Sequence, residues 1–287
     1  MTDPAPAGVR LVATDLDGTL LRTDGTLSPR TVTALADARA AGLDVVFVTG
    51  RPLRWAAQVF DHVGGHGLAI AANGALLWDV GADRARLVRA LDPAAALEVG
   101  QRIRAAVPGT MLAVETVDGF GLEPDYLPGH PLTQDARRGA FEELVDAPVL
   151  KLLVRREGVV ADDYAAEVVA ATDGLATVTW SSSGSLLELS APGVTKASTL
   201  ELLCVELGID RDAVVAFGDM PNDLAMLRWV GTSYAMANAH PAVLDAADRV
   251  APTNDEDGVA QVIEQILAGD VGDVGDVEDD GLVPSQG

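Results

Sequence analysis

The stretch Val12-Ala13-Thr14-Asp15-Leu16-Asp17-Gly18-Thr19-Leu20-Leu21 decides how the chain is read. It sets two carboxylates two residues apart where an apolar strand runs out into a glycine turn, so both acids can face one mouth. Acids that close repel each other, and without a compensating cation at least one pKa rises and folding suffers. A hard divalent cation is the simplest remedy. Magnesium takes oxygen ligands and keeps several waters, so it needs few protein carboxylates and leaves room for a substrate oxygen. Asp15 is then free to act as a nucleophile while Asp17 handles protons. Taken alone, Asp-x-Asp-Gly reads as readily as a strand-end turn whose acids cap or solvate the loop. Other segments have to decide.

At 287 residues the chain exceeds the usual size of a single domain, so one large or two moderate domains are expected. Hydrophobic residues make up 48% against 22% charged, enough for a packed core and against global disorder. The sequence has no long uninterrupted apolar run, and its start, MTDPAPAGVR, has neither a basic nor an apolar signal region. A cytoplasmic protein is the expectation. The single cysteine, Cys204, lies in a helix-patterned stretch and reads as a buried structural thiol. A net charge of -23 argues against partners that are nucleic acids or anionic membranes. Residues 270–287 hold acids, no bases and no amphipathic period, and are expected to be a disordered acidic tail.

Short Val/Leu/Ala-rich runs alternate with helix-length segments, the pattern of a parallel sheet flanked by helices. Strands are expected at Leu11 to Thr14, Asp44 to Thr49 and Leu68 to Ala72. Ser28 and Pro29 open a helix that ends before Gly42, and a second helix starts near Leu53. Asn73-Gly74 reads as a hairpin turn into Ala75 to Trp78. After residue 80 the texture changes: strands at Arg86 to Leu91, Met111 to Glu115, Phe120 to Glu123, Val149 to Arg155, Thr177 to Trp180 and Ser185 to Leu189 mix with helices at Pro93 to Ala106, Ala136 to Leu144 and Ala161 to Ala171. These predict an inserted α+β module with an antiparallel sheet. From Thr195 the regular alternation returns, with a strand at Ala213 to Phe217 and helices from Pro221, Pro241 and Glu256. The expected organisation is a discontinuous core, residues 1–79 and 191–269, around an insert, 80–190.

Three segments resolve the first. Val45-Val46-Phe47-Val48-Thr49-Gly50-Arg51 is an apolar strand ending in a hydroxyl and a glycine, suited to holding a phosphate oxygen by a side chain and free N–H groups. Val215-Ala216-Phe217-Gly218-Asp219-Met220-Pro221-Asn222-Asp223 is another apolar strand ending in acids. Asp219 can ligate a metal or cap the helix that Pro221 starts, and Asp223 falls on the same side one turn later. Lys196, after Pro192-Gly193, stands at a helix start, a poor place for a cation unless it faces an anion.

In order, Asp-Leu-Asp-Gly-Thr at 15 to 19, Thr49 with Gly50-Arg51, Lys196, and Gly-Asp-Met-Pro-Asn-Asp at 218 to 223 resemble the haloacid dehalogenase superfamily. The Cof-type members, with a large α/β cap inserted after the third core strand, are the nearest pattern. Asn73-Gly74 and Asp257-Gly258-Val259 fit the same subfamily, and the resemblance covers about residues 9 to 268. It implies an α/β fold: a doubly wound, Rossmann-like parallel sheet with an inserted α+β cap and the site at the carboxyl ends of the strands. It implies a phosphatase in which Asp15 is the nucleophile and forms an aspartyl-phosphate, and Asp17 is the general acid and base. Asp15, the Asp17 backbone carbonyl and Asp219 would hold Mg²⁺, with Asp223 in support. Thr49, Lys196, Asn222 and the N–H groups around Leu16, Asp17 and Gly50 would bind the phosphoryl oxygens. The four aspartates then bring four formal negatives against three positives from Lys196 and the metal, which balance if Asp17 is protonated.

Specificity is less legible. Arg51, Asn73, His130 and the serines 181 to 183 are candidate substrate contacts, each with a plain structural explanation as well: an ion pair for Arg51, an exposed loop for His130 and turns for the others. A small sugar phosphate is the expected substrate, with a flavin precursor, a nucleotide or pyridoxal phosphate as alternatives. A phosphomutase would use the same two aspartates and re-phosphorylate its product. A non-catalytic phospho-ligand sensor would dispense with Asp15, Asp17 or Asp219, all of which are present. Oligomeric state is not read from the sequence.

Overall fold

A computed structural model of the chain describes residues 8–62, 67–128, 136–159, 161–180 and 185–269. In chain order the strands are β1 (Leu11–Thr14), β2 (Asp44–Val48), β3 (Leu68–Ala71), β4 (Leu76–Asp79), β5 (Arg84–Val88), β6 (Met111–Glu115), β7 (Phe120–Leu122), β8 (Arg137–Arg138), β9 (Lys151–Arg155), β10 (Thr177–Thr179), β11 (Leu186–Ser190), β12 (Val214–Gly218), β13 (Thr232–Met236) and β14 (Arg249–Ala251). The α-helices are α1 (Pro29–Ala40), α2 (Leu53–His62), α3 (Pro93–Ala106), α4 (Phe141–Leu144), α5 (Ala161–Thr172), α6 (Lys196–Leu207), α7 (Leu224–Trp229), α8 (Pro241–Leu244) and α9 (Gly258–Ala268).

Eight strands form one sheet in the order β14-β13-β12-β1-β2-β3-β4-β5. From β14 to β3 neighbouring strands are parallel, and β4 and β5 add an antiparallel edge. The central strand is buried on both faces: Val12 packs with residues of α1 and α9, whereas Leu11 and Ala13 pack with residues of α6 and α7. Helices therefore cover both sides, as a parallel sheet of continuous apolar strands requires. The doubly wound architecture agrees with the sequence. Ser28 caps α1 by accepting from the Thr31 N–H, with Pro29 at the first helical position.

A second sheet, ordered β10-β11-β9-β6-β7-β8, is antiparallel except where β7 meets β8. One face is closed by α3 and α5, where Leu112, Val114, Leu152, Val154, Leu187 and Leu189 pack on Val99, Ile103, Tyr164 and Val168. The other face carries a small apolar cluster, Ala113, Phe120, Leu122, Tyr126 and Leu153.

Several elements differ from expectation. The strand read at Arg86 to Leu91 is β5, and it joins the eight-stranded sheet because Leu87 packs with Leu77 over α6. Residues 84–88 thus lie in the first sheet, and the crossover to the second comes later than residue 80. The helix expected over Ala136 to Leu144 is the short strand β8 and the single turn α4. Arg137 is held there by Asp146 and the Leu144 carbonyl, and Arg138 by the carbonyls of Glu123 and Pro124. β14 was not expected, since it is a three-residue edge strand with two polar-facing positions. Asn73-Gly74 does join β3 to β4, but through three consecutive residues of positive φ, Ala72, Asn73 and Gly74, instead of a two-residue turn. The acidic tail, 270–287, lies outside the described residues. No described helix is long and apolar enough to cross a membrane.

Candidate active site

The strand order reverses at β1, which hydrogen-bonds to β2 on one side and β12 on the other. Ligands of doubly wound sheets bind in the crevice at such a point, beyond the carboxyl ends of the strands. Asp15 follows β1, Thr49 follows β2 and Asp219 follows β12, so residues far apart in sequence converge there.

Lys196 is the first residue of α6, whose cap is Thr195, accepting from the Ser198 N–H. It is 1% exposed, and its Nζ donates to Asp15 Oδ1 and to Asp223 Oδ1, each at 2.6 Å. A lysine at the positive end of a helix is thereby explained by two anions. Asp223 Oδ2 accepts the N–H groups of Asp219 and Met220, both at 3.1 Å, so both its oxygens are engaged. Asp219 Oδ1 accepts from the Thr19 hydroxyl at 2.9 Å. Among the described residues, Asp15 Oδ2 and Asp219 Oδ2 accept no hydrogen bond.

Burial pushes the Asp15 carboxyl well above the usual range, against the pull of Lys196, and the negative charges of Asp223 and Asp219 add to the rise. Burial, then Asp223, pushes Asp219 up to about 7. Burial works against the charge of Lys196, but Asp15 and Asp223 outweigh it and raise its pKa. The cluster is thus short of positive charge: three buried carboxylates share one ammonium. Oxygen atoms of Asp15, Asp219 and Asp223 lie within 4.8 Å of one another. Buried carboxylate oxygens with lone pairs to spare suit a hard divalent cation.

Asp17 points the other way, with its side chain 58% exposed and both oxygens held by Arg51, from Nε at 2.7 Å and from Nη2 at 2.5 Å. Gly18 makes this turn possible: its φ is +72°, and a Cβ there would run into the Asp219 carboxylate. Asn238 Nδ2 donates to the Gly18 carbonyl at 2.8 Å. Thr49 is buried and its hydroxyl accepts the Arg51 N–H at 3.0 Å, which leaves its own proton to donate. The N–H groups of Leu16, Asp17 and Gly50 donate to no acceptor among the described residues. Asn222 Nδ2 donates to Asn73 Oδ1 at 3.1 Å.

The structure therefore brings together Asp15, Leu16, Asp17, Thr49, Gly50, Arg51, Asn73, Lys196, Asp219, Asn222 and Asp223. His130 and residues 181 to 183 lie outside the described residues. Sequence reasoning missed Thr19 and Asn238, which hold the turn, and a row of ionised side chains on the second sheet. In that row Glu115 pairs with Arg54, and Lys151 pairs with Glu188. The signal for the latter was Lys151 opening the apolar run of KLLVR and Glu188 as the one charge of LLELS, since an ionised residue is rarely buried without a partner.

Residues 12–263 match the family described as haloacid dehalogenase-like hydrolase. Among curated relatives, the 5-amino-6-(5-phospho-D-ribitylamino)uracil phosphatase YcsE of Bacillus subtilis (strain 168) is 28% identical over 271 residues, 89% of this chain and 94% of the relative. The pyridoxal phosphate phosphatase YbhA of Escherichia coli (strain K12) is 30% identical over 271 residues, 88% of this chain and 97% of the relative. A solved haloacid dehalogenase-like hydrolase from B. subtilis superposes with a TM-score of 0.77 at 25% identity, covering 90% of this chain and 100% of that one.

Proposed function

The chain belongs to the haloacid dehalogenase-like hydrolases, in their Cof-type branch, and is a phosphatase of small phosphorylated substrates; we propose that it works with Mg²⁺, through an aspartyl-phosphate at Asp15, on a sugar phosphate. The observation that carries this reading is Lys196 bridging Asp15 and Asp223 beside Asp219, at the carboxyl ends of two adjacent strands.

Asp15, the Asp17 carbonyl and Asp219 would hold the metal, and Asp223, with both oxygens engaged, would steady Lys196 and the Asp219 loop. When bound, Mg²⁺ supplies Lewis-acid charge to the phosphoryl oxygens. Lys196, Thr49, Asn222 and the N–H groups of Leu16, Asp17 and Gly50 orient the phosphoryl group and offset its charge, which is most of the work in phosphoryl transfer. An Asp15 oxygen forms a bond to phosphorus as the ester P–O bond breaks, and Asp17 gives its proton to the leaving alkoxide. Asp17 then takes a proton from water as the water oxygen bonds to phosphorus and the Asp15–phosphorus link breaks. The products are the alcohol and inorganic phosphate. Arg51 aims Asp17; when Asp17 carries its proton, one guanidinium bond is released to the substrate. The second sheet serves as a cap: its contacts with the core, Lys151 to the Gly50 carbonyl, Glu188 to Asn73 and Glu115 to Arg54 of α2, exclude water from the mouth.

The test is phosphate release from a panel of phosphomonoesters, with Mg²⁺ and with EDTA, for the native chain and Asp15→Asn. Release that EDTA removes and Asp15→Asn lacks is expected. Release that survives either treatment would exclude this mechanism.

A further inference from the structure

Outside the aspartate cluster, Lys151 and Glu188 are the one ion pair among the described residues with both side chains buried, at 3% and 7% exposure. They stand on adjacent strands, β9 and β11. Alternation along each strand puts them on the face opposite Leu152, Val154, Leu187 and Leu189, so they contribute nothing to the packed core of their own sheet. A buried Lys–Glu pair is commonly no more stable than an apolar pair of the same volume. Stability of the insert gives no reason for them.

Their contacts point instead at the phosphoryl site. Lys151 Nζ donates to the Gly50 carbonyl at 2.6 Å, and Glu188 Oε2 accepts from Asn73 Nδ2 at 2.9 Å. A Cβ at residue 50 would lie 2.9 Å from Asn73 Oδ1 and 3.6 Å from Glu188 Oε2. Both ionised groups therefore abut the glycine whose N–H is free for a phosphoryl oxygen. Asp15 attacks from the core sheet, and in-line displacement sends the leaving alcohol away from it, toward the insert. Two buried polar atoms of this region, Asn222 Oδ1 and Ser190 Oγ, have no hydrogen-bond partner among the described residues. Ser190 lies two residues from Glu188 on the same strand face. Thr179 adds a hydroxyl 3.2 Å from Asn73 Nδ2. The set offers a carboxylate, an ammonium, two amides and two hydroxyls.

Building on the phosphatase reading, we infer that Lys151, Glu188 and Asn73 form the subsite for the leaving alcohol, and that this alcohol is polyhydroxylated next to its phosphoryl ester. Glu188 accepts from neighbouring hydroxyls and Lys151 donates to another. An aldose phosphate and a phosphorylated ribityl chain share this chemistry. A leaving group that is aromatic, or that carries one carboxylate and no hydroxyls, satisfies fewer of these hydrogen-bonding groups than a polyol does.

The experiment measures kcat/KM on ribitol 5-phosphate, glucose 6-phosphate, pyridoxal 5′-phosphate, phosphoglycolate and phenyl phosphate. The proteins are the native enzyme, Glu188→Gln, Lys151→Met and the double variant Lys151→Met with Glu188→Leu, which leaves no lone buried charge if a single variant misfolds. The native enzyme is expected to prefer the better polyol phosphate to each of the other three by about tenfold or more, the scale set by a site built to hydrogen-bond its substrate. The variants are expected to lower the ratio of polyol to phenyl phosphate by about tenfold or more. A ratio that no variant moves, or a native enzyme as fast on phenyl phosphate as on the polyols, overturns the subsite and leaves the phosphatase reading in place. No phosphate from any ester overturns both.

Discussion

At the scale of single residues, charge at the cluster separates activity from stability. Asp15→Asn removes the nucleophile but also one of three crowded buried carboxylates, and Lys196 keeps Asp223. Lys196→Ala does the reverse, leaving Asp15 and Asp223 buried without their cation, at a cost of about 3 to 5 kcal/mol. It should also lower kcat/KM by roughly 10²- to 10³-fold, the loss of one donor at an oxyanion site. Thermal melts without metal should therefore show Asp15→Asn no less stable than native at pH 8 and Lys196→Ala clearly less stable. The reverse order would deny that the cluster is short of positive charge. Asp15, Thr49, Asp219, Asn222 and Asp223 were legible in the sequence because they follow apolar runs, and Lys196 because a cation at a helix start calls for an anion. Their partners were not: Thr19 reaches Asp219 and Asn238 reaches Gly18 across 200 and 220 residues, and no local pattern encodes such a contact.

At the scale of elements, the first turn of α6 fixes Lys196. Thr195 caps it, Ser198 returns a bond to the Thr195 N–H at 3.0 Å, and the Thr195 carbonyl lies against Gly74, whose φ is +101°. Losing such a cap costs about 1 kcal/mol. Thr195→Ala is accordingly expected to lower stability by that amount, and to lower kcat more than it raises KM, since Lys196 would lose its aim on the transition state. Urea melts and steady-state kinetics on one substrate check both parts. A variant with native kcat would show that Lys196 is held by its aspartates alone. Strands such as β1 and β12 were readable because apolar runs with no alternation fit only a sheet covered on both faces. The segment 136–144 was misread because its helical pattern loses to parallel pairing with β7 and to arginines bonded to distant carbonyls. Strand order was not readable at all, since it depends on crossovers.

For the molecule as a whole, the raised pKa values set a pH dependence. The folded state holds protons on Asp15 and Asp219 that the unfolded chain releases, so their contribution is complete below the unfolded pKa, near 4, and is lost as pH rises through the raised pKa of each, about 7 for Asp219. The net charge of -23 acts in the same direction. The metal-free protein should lose Tm between pH 5 and pH 8, and Mg²⁺ should restore more of it at the higher pH than NaCl of equal ionic strength. Equal recovery with both salts would assign the effect to general screening. The order of the first sheet has a further consequence, for synthesis. Thr14 pairs with Phe47 on one side and with Phe217 on the other. At about 5 to 20 residues per second, roughly 10 to 40 s separate emergence of the central strand from that of its second neighbour. The intervening sheet, contiguous in the chain, can fold meanwhile, while β1 waits on the ribosome with a bare apolar edge of the kind that invites mispairing. Because Lys196, Asp219 and Asp223 emerge only with that late segment, a nascent or prematurely terminated chain has no charge cluster, and translation completes the core and its chemistry together.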